Sequence, residues 1–247
     1  NDTCRFMIDT TGAGLHKRGY RPLTHEAPIR ETLASGMLTY AKYRPYGNEA
    51  LVDPFCGSGT FAIEATLYAF NVAPGFGRRF ALENLPIYNA QAAERIRQAE
   101  AELIRTDVEV RITGSDIDPA AVERSRKNAE YACVMAGRAL KSIGKSAHIQ
   151  RPDFVQSDFA NLAAPYDSGL LLCNPPYGER LLDEEQAIQL YKNMDSLWTD
   201  FPGWDMGIIT SHEGFQEAFG HNANQVKNIK AGNLDTTFYI YNRNQAE

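Results

Sequence analysis

Four short apolar runs in this chain each stop at an acidic, amide or hydroxyl-bearing turn, and helix-forming stretches lie between them. Ala50 to Asp53 runs into Asp53-Pro54-Phe55-Cys56-Gly57-Ser58-Gly59-Thr60, with a helix expected from Phe61 to Phe70. Val108 to Thr113 runs into Gly114-Ser115-Asp116-Ile117-Asp118-Pro119, followed by a helix from Pro119 to about Met135. Phe154 to Gln156 ends at Ser157-Asp158, and Leu170 to Cys173 ends at Asn174-Pro175-Pro176-Tyr177-Gly178. Strands that alternate with helices in one chain fold as a parallel sheet with helices on both faces, because crossovers return right-handed over the sheet. A length of 247 residues with 43% hydrophobic content supplies the core that one large α/β domain or two small ones need.

Other segments fill in this frame. Arg5 to Asp9 alternates as a strand does and ends in the turn residues Thr10 to Gly14. Pro28 suits the first turn of a helix, and Ile29, Leu33, Met37 and Leu38 follow at helical spacing. Asn89 to Arg105 reads as an exposed helix, Arg138 to His148 as a loop, and Glu184 to Phe201 as a helix. A strand at Met206 to Thr210 and a short helix after His212 precede two strands, Val226 to Lys230 and Thr236 to Tyr241. Joined through Gly232-Asn233, those two form an antiparallel hairpin at one sheet edge. We divide the chain into a lead-in over residues 1–45 and an α/β domain over 46–247.

Composition excludes several function classes. No run approaches the ~20 apolar residues of a membrane span, and no secretory leader opens the chain. Cys4, Cys56, Cys133 and Cys173 are scattered without a CxxC pair, so neither zinc nor a disulfide framework is expected, and reduced thiols in a cytoplasmic protein are the simpler reading. The five histidines suggest no metal site. A net charge of −6 argues against a phosphate backbone being gripped across a whole face of this chain.

The turns at the strand ends carry the chemistry. Gly57 and Gly59 let backbone approach a ligand, and the start of the following helix offers free N–H groups to a negative group. A pyrophosphate-binding loop would read GxGxxG and would not follow an aspartate. Asp53 instead suits an ammonium, so the loop fits a ligand with both an amine and a carboxylate, such as the methionine part of S-adenosylmethionine. Asp116, at the next strand tip, can accept two hydrogen bonds from a ribose diol, with Ile117 against the adenine. Asp118 before Pro119 is a helix N-cap. Asp158 either accepts from an adenine 6-amino group or caps a turn. In the last turn the two prolines remove backbone donors and fix φ. They leave the Asn174 side-chain oxygen and the Pro175 carbonyl as rigid acceptors for an exocyclic amine, while Tyr177 offers a face on which a flipped base stacks.

DPFCGSGT, SDIDP, SDF and NPPYG together resemble the amino-methyltransferases, whose DPPY or NPPY motif marks transfer to exocyclic nitrogens. LHKRGYR (15–21) followed by APIRETL (27–33) is similar to the bacterial 23S ribosomal-RNA guanine-N2 methyltransferases of the RlmL type, with likeness from about Asp9 to Tyr241. That resemblance implies a Rossmann-like S-adenosylmethionine-dependent methyltransferase, α/β, with a seven-stranded, mostly parallel sheet and an antiparallel edge hairpin. It implies cofactor contacts at Asp53, Pro54, Cys56, Gly57, Gly59, Thr60, Asp116, Ile117, Asp158 and Phe159. The catalytic loop would be Asn174, Pro175, Pro176 and Tyr177. His16, Lys17, Arg18 and Arg21 would contact ribosomal-RNA phosphates, with Arg78-Arg79 a weaker candidate. Relatives of this type carry an upstream THUMP-type RNA-binding region, expected to be absent from this chain. NPPY alone also permits adenine-N6 methylation of DNA or RNA. A non-catalytic cofactor-binding module is a further alternative, and a nicotinamide dehydrogenase lacks its GxGxxG loop.

Overall fold

In the structure, a computed structural model, residues 3–21, 28–176, 184–232 and 234–243 are described. Seven strands form one sheet in the order β3-β2-β1-β4-β5-β7-β6. They are β1 (Ala50–Asp53), β2 (Ile112–Asp116), β3 (Asp153–Gln156), β4 (Gly169–Cys173), β5 (Asp205–Thr210), β6 (Gln225–Ala231) and β7 (Leu234–Tyr241). The first five pair in parallel, and β7 runs antiparallel to both β5 and β6. The seven-stranded sheet and its edge hairpin match the expectation from sequence, although Asn233 of the turn lies outside the described residues.

Helices cover both faces. The helices are α1 (Glu31–Tyr40), α2 (Thr60–Ala69), α3 (Ala90–Glu102), α4 (Pro119–Ser142), α5 (Glu184–Asn193), α6 (Asp195–Asp200) and α7 (Phe215–Phe219). One core joins α1, α2 and α4 to Leu51, Ile112, Phe154, Leu170, Leu172 and Ile209. The other joins α5 to α7 with Val52, Leu171, Cys173, Met206 and Ile208 on the opposite face. Every residue of β1 and β4 is buried, which explains why these strands read as unbroken apolar runs. Helix α2 is buried nearly all round, from Thr60 to Ala69 with only Tyr68 exposed, and its sequence is mostly apolar to match, with Glu64 its one charge.

Several boundaries differ from the sequence expectation. No strand forms at Arg5 to Asp9: the segment has no ladder partner among the described residues, and Phe6, Met7 and Ile8 stay exposed. Strand β2 begins at Ile112 rather than Val108, because the Gln150 side chain occupies both the N–H and the C=O of Val110. Helix α1 starts at Glu31, with Arg30 as its N-cap, so Pro28 lies ahead of the first turn. Helix α4 runs on to Ser142 through the expected loop, since Ala136, Ala139 and Leu140 extend its buried stripe. It stops before Gly144, whose φ of 74° is left-handed. The expected helix from Glu184 to Phe201 is broken at Met194 into α5 and α6.

Candidate active site at the strand tips

Strand order reverses between β1 and β4, which point β2 and β3 one way and β5 the other. A reversal of this kind opens a crevice at the carboxyl ends of the strands. The loops after β1 and β4, those with the glycines and the Asn-Pro-Pro, both leave from that point.

The glycine loop is fastened to its neighbour by backbone. The Cys56 N–H donates to Ser115 O at 2.8 Å, and the Gly57 N–H donates to Asp116 Oδ2 at 2.9 Å. Gly59 caps α2 at φ 80°, where a Cβ would lie 2.8 Å from Ser125 Cβ and 2.9 Å from Phe154 Cζ, so no other residue fits. Gly57, at φ 55°, faces open space instead. Its glycine character serves the turn and leaves the surface clear for a ligand.

Asp53 ends β1 and is 1% exposed. Its Oδ1 accepts the Phe55 N–H at 3.1 Å. Burial pushes its carboxyl well above the usual range and the nearby Asp116 adds to this, against the Phe55 hydrogen bond. Desolvation therefore favours the neutral acid, and a cationic partner is what the ionised form needs. Asp116 is half-buried at the tip of β2, with Oδ1 accepting from the Asp118 N–H at 3.0 Å and Oδ2 from Gly57. Each carboxylate oxygen has a second lone pair, so acceptor capacity remains for a hydroxyl. Ile117 is 66% exposed beside it. Asp118 caps α4 by accepting from Ala120 N–H, with Pro119 at the first helical position.

At the third tip Asp158 takes the capping role, accepting from the Ala160 N–H at 2.9 Å to start a short 3-10 turn. Phe159 follows, its ring 5.1 Å from that of Phe55 and so tied to the loop after β1. At the fourth tip Asn174 Oδ1 is buried and has no hydrogen-bond partner among the described residues. Pro175 and Pro176 continue the chain, and Tyr177 lies outside the described residues. Cys56 and Cys173 are buried thiols, both raised well above the usual range by burial, which removes nucleophilic character.

The basic candidates divide. Lys17 is exposed and His16 half-buried. Arg18 and Arg21, expected on RNA phosphates, are instead internal. Arg18 pairs with Glu64 of α2 at 2.6 Å, where the Tyr20 hydroxyl also donates to Glu64 at 2.6 Å. Arg21 pairs with Glu31 of α1 at 3.0 Å and donates to Ile29 O and to Thr60 Oγ1 at 2.7 Å. Thr60 Oγ1 thus accepts within a clasp that ties residues 18–21 to α1 and α2. Arg78 is likewise consumed by the carbonyls of Thr11, Ala13 and Gly14, while Arg79 is exposed and pairs with Glu83. Glu64 was legible as a lone charge in the apolar run TFAIEATLYA, which demands a buried partner.

A ligand crevice at the strand-order reversal is shared by many nucleotide-binding sheets, but an antiparallel strand wedged between β5 and β6 is not. With Asn-Pro-Pro at the reversal, this is a methyltransferase domain of Rossmann-like fold. Residues 18–240 match the family described as RMKL-like, methyltransferase domain, and the chain belongs to it. It is 36% identical over 240 residues to YpsC of Bacillus subtilis (strain 168), provisionally named an RNA methyltransferase, covering 97% of this chain and 58% of that protein. It is 35% identical over 239 residues to the ribosomal RNA large subunit methyltransferase K/L of Shewanella pealeana (strain ATCC 700345 / ANG-SQ1), covering 95% of this chain and 32% of that protein. Among solved structures it resembles SMU.472, provisionally described as a methyltransferase and complexed with SAH, at a TM-score of 0.84 and 33% identity, covering 97% of this chain and 59% of that one. A Listeria monocytogenes str. 4b F2365 protein described as a predicted N6-adenine-specific DNA methylase matches at a TM-score of 0.80 and 36% identity, covering 95% and 56%. The chain therefore spans between about a third and three fifths of these relatives' length.

Proposed function

We propose that this chain is the catalytic domain of an S-adenosylmethionine-dependent methyltransferase that modifies the 2-amino group of a guanine in 23S ribosomal RNA, in the cytoplasm. The observation that carries the reading is the Asn174 Oδ1, a buried acceptor with no donor among the described residues, at the point where the sheet order reverses. The names of the Bacillus and Shewanella relatives support RNA as the substrate, and SMU.472 with SAH supports the cofactor.

The residues at the tips fit that cofactor. Asp53 would face its ammonium, the clear surface at Gly57 would take the methionine part, and Asp116 with Ile117 would hold ribose and adenine. When bound, the cofactor supplies an electrophilic methyl group on a sulfonium. Asn174 Oδ1 accepts an N–H of the target amine and the Pro175 carbonyl is available for the other, so both amine hydrogens point at fixed acceptors. This would free the nitrogen lone pair from the ring to take the methyl group, whose bond to the sulfonium sulfur would break with its electron pair left on sulfur as a thioether. The nitrogen would afterwards release one proton to water. Asn174 binds that N–H more strongly as positive charge grows on nitrogen, which is where its contribution to rate lies. No strong base is required, because the amine becomes acidic only after the bond forms.

The test is transfer of a radiolabelled methyl group to ribosomal RNA and to DNA, with the modified nucleoside identified by mass spectrometry. N2-methylguanosine in RNA is the expected product. The Listeria structure's description favours one second reading, and N6-methyladenine would establish it. Cofactor binding with no transfer to either nucleic acid would make the chain a binding module.

A further inference from the structure

One strand over from Asn174 stands a histidine held on several sides. Register sets Cys173 of β4 beside Ile208 of β5, so Asn174 leaves the sheet next to Ile209 and His212 follows three residues later. His212 Nδ1 accepts the Gly214 N–H at 3.1 Å. Its ring packs edge-on against Tyr191 of α5, with centroids 5.4 Å apart and planes at 71°. Its backbone N–H donates to Thr210 Oγ1 at 3.1 Å, and Thr210 shares a buried hydrogen bond of 3.0 Å with the Tyr191 hydroxyl. A neutral imidazole carries one hydrogen; with Nδ1 accepting, that hydrogen is on Nε2. The ring is only half-buried, and Nε2 has no hydrogen-bond partner among the described residues.

Neighbouring strand tips therefore present a fixed acceptor, Asn174 Oδ1, and a fixed donor, His212 Nε2–H. The edge of guanine has the opposite polarity: its 2-amino group donates and its O6 accepts. We propose that His212 donates to O6 of the target guanine while Asn174 holds the 2-amino group, which makes His212 a specificity-determining residue. This rests on the guanine reading above. An adenine held by its own amine has a C–H where guanine, past N1, has the carbonyl. The His212 donor is then left without an acceptor, and sites built to bond a substrate's polar group reject analogues that lack it.

The experiment uses the full-length protein and a synthetic RNA spanning the modified position once that position has been mapped. The RNA is made with either guanine or 2-aminopurine there; 2-aminopurine keeps the amine and lacks O6. His212→Ala is expected to lower kcat/KM on guanine by about 10- to 100-fold, the scale of one hydrogen bond in a desolvated site, and to leave 2-aminopurine unchanged. His212→Gln, which retains an N–H donor, recovers part of the guanine rate, and unchanged cofactor affinity in both variants shows that the fold is intact. The wild-type protein should itself prefer guanine by a similar factor, a readout that needs no variant. Equal losses on the two bases, or no loss on guanine, overturn the assignment of His212 and leave the guanine reading standing. Mapping of the methyl group to adenine overturns both.

Discussion

Burying an amide oxygen with no donor costs about 1–3 kcal/mol, and among the described residues Asn174 Oδ1 finds no donor at the end of β4. Asn174→Ala is expected to lower kcat by roughly 10²–10³ with little change in cofactor affinity, because the lost contact is strongest in the transition state. Single-turnover methyl transfer beside calorimetric cofactor titration separates the two effects, and an undiminished kcat would remove Asn174 from the mechanism. The place of Asn174 at the end of a buried strand was legible in the sequence, because two prolines follow an unbroken apolar run. Arg18 and Arg21 were misread for an equally physical reason. A cluster of cations looks the same in sequence whether its counter-charges are phosphates outside or, as here, Glu64 and Glu31 within the fold.

At the scale of elements, the clasp between the lead-in and α2 has a pH signature. Burial raises Glu64 from its ordinary 4.5 to about 7, against the pull of Arg18 and Tyr20. The folded chain then binds that proton more tightly than the unfolded chain does. Its contribution is fully present below about pH 4.5 and is lost as pH climbs toward 7. The loss is on the order of 3 kcal/mol across that window. Urea midpoints at pH 5 and pH 7 should therefore differ less in Glu64→Gln than in the parent, and an identical difference would show that Glu64 does not titrate in this range. Elements were legible where burial and periodicity agree, as in β1, α2 and β4. They were displaced where a distant side chain decides. Nothing local to Val108 to Val110 announces that Gln150 will take the hydrogen bonds a longer β2 would need. Nor does the lysine-bearing stretch past Arg138 show that Ala139 and Leu140 will be buried and draw α4 onward.

Over the whole molecule the net charge is −6, and Arg18, Arg21 and Arg78 are spent on internal partners instead of being offered to RNA. Binding of RNA by this chain alone should weaken only gently with salt. A slope shallower than about −2 in log affinity against log salt corresponds to roughly 3 phosphate contacts or fewer on a single strand. A steep slope, read by fluorescence anisotropy across a salt series, would reveal a basic surface that the internal pairs conceal. Helices that share one core also differ in how deeply they are enclosed. Helix α2 is enclosed on nearly every side, whereas α3 buries only Ala101. In deuterated solvent the amides of α2 should exchange only when the entire domain opens, while those of α3 should exchange through local fraying, many times faster. The loop that begins α2 is thus anchored to the slowest-opening part of the chain, so its shape should persist through fluctuations that repeatedly unravel α3.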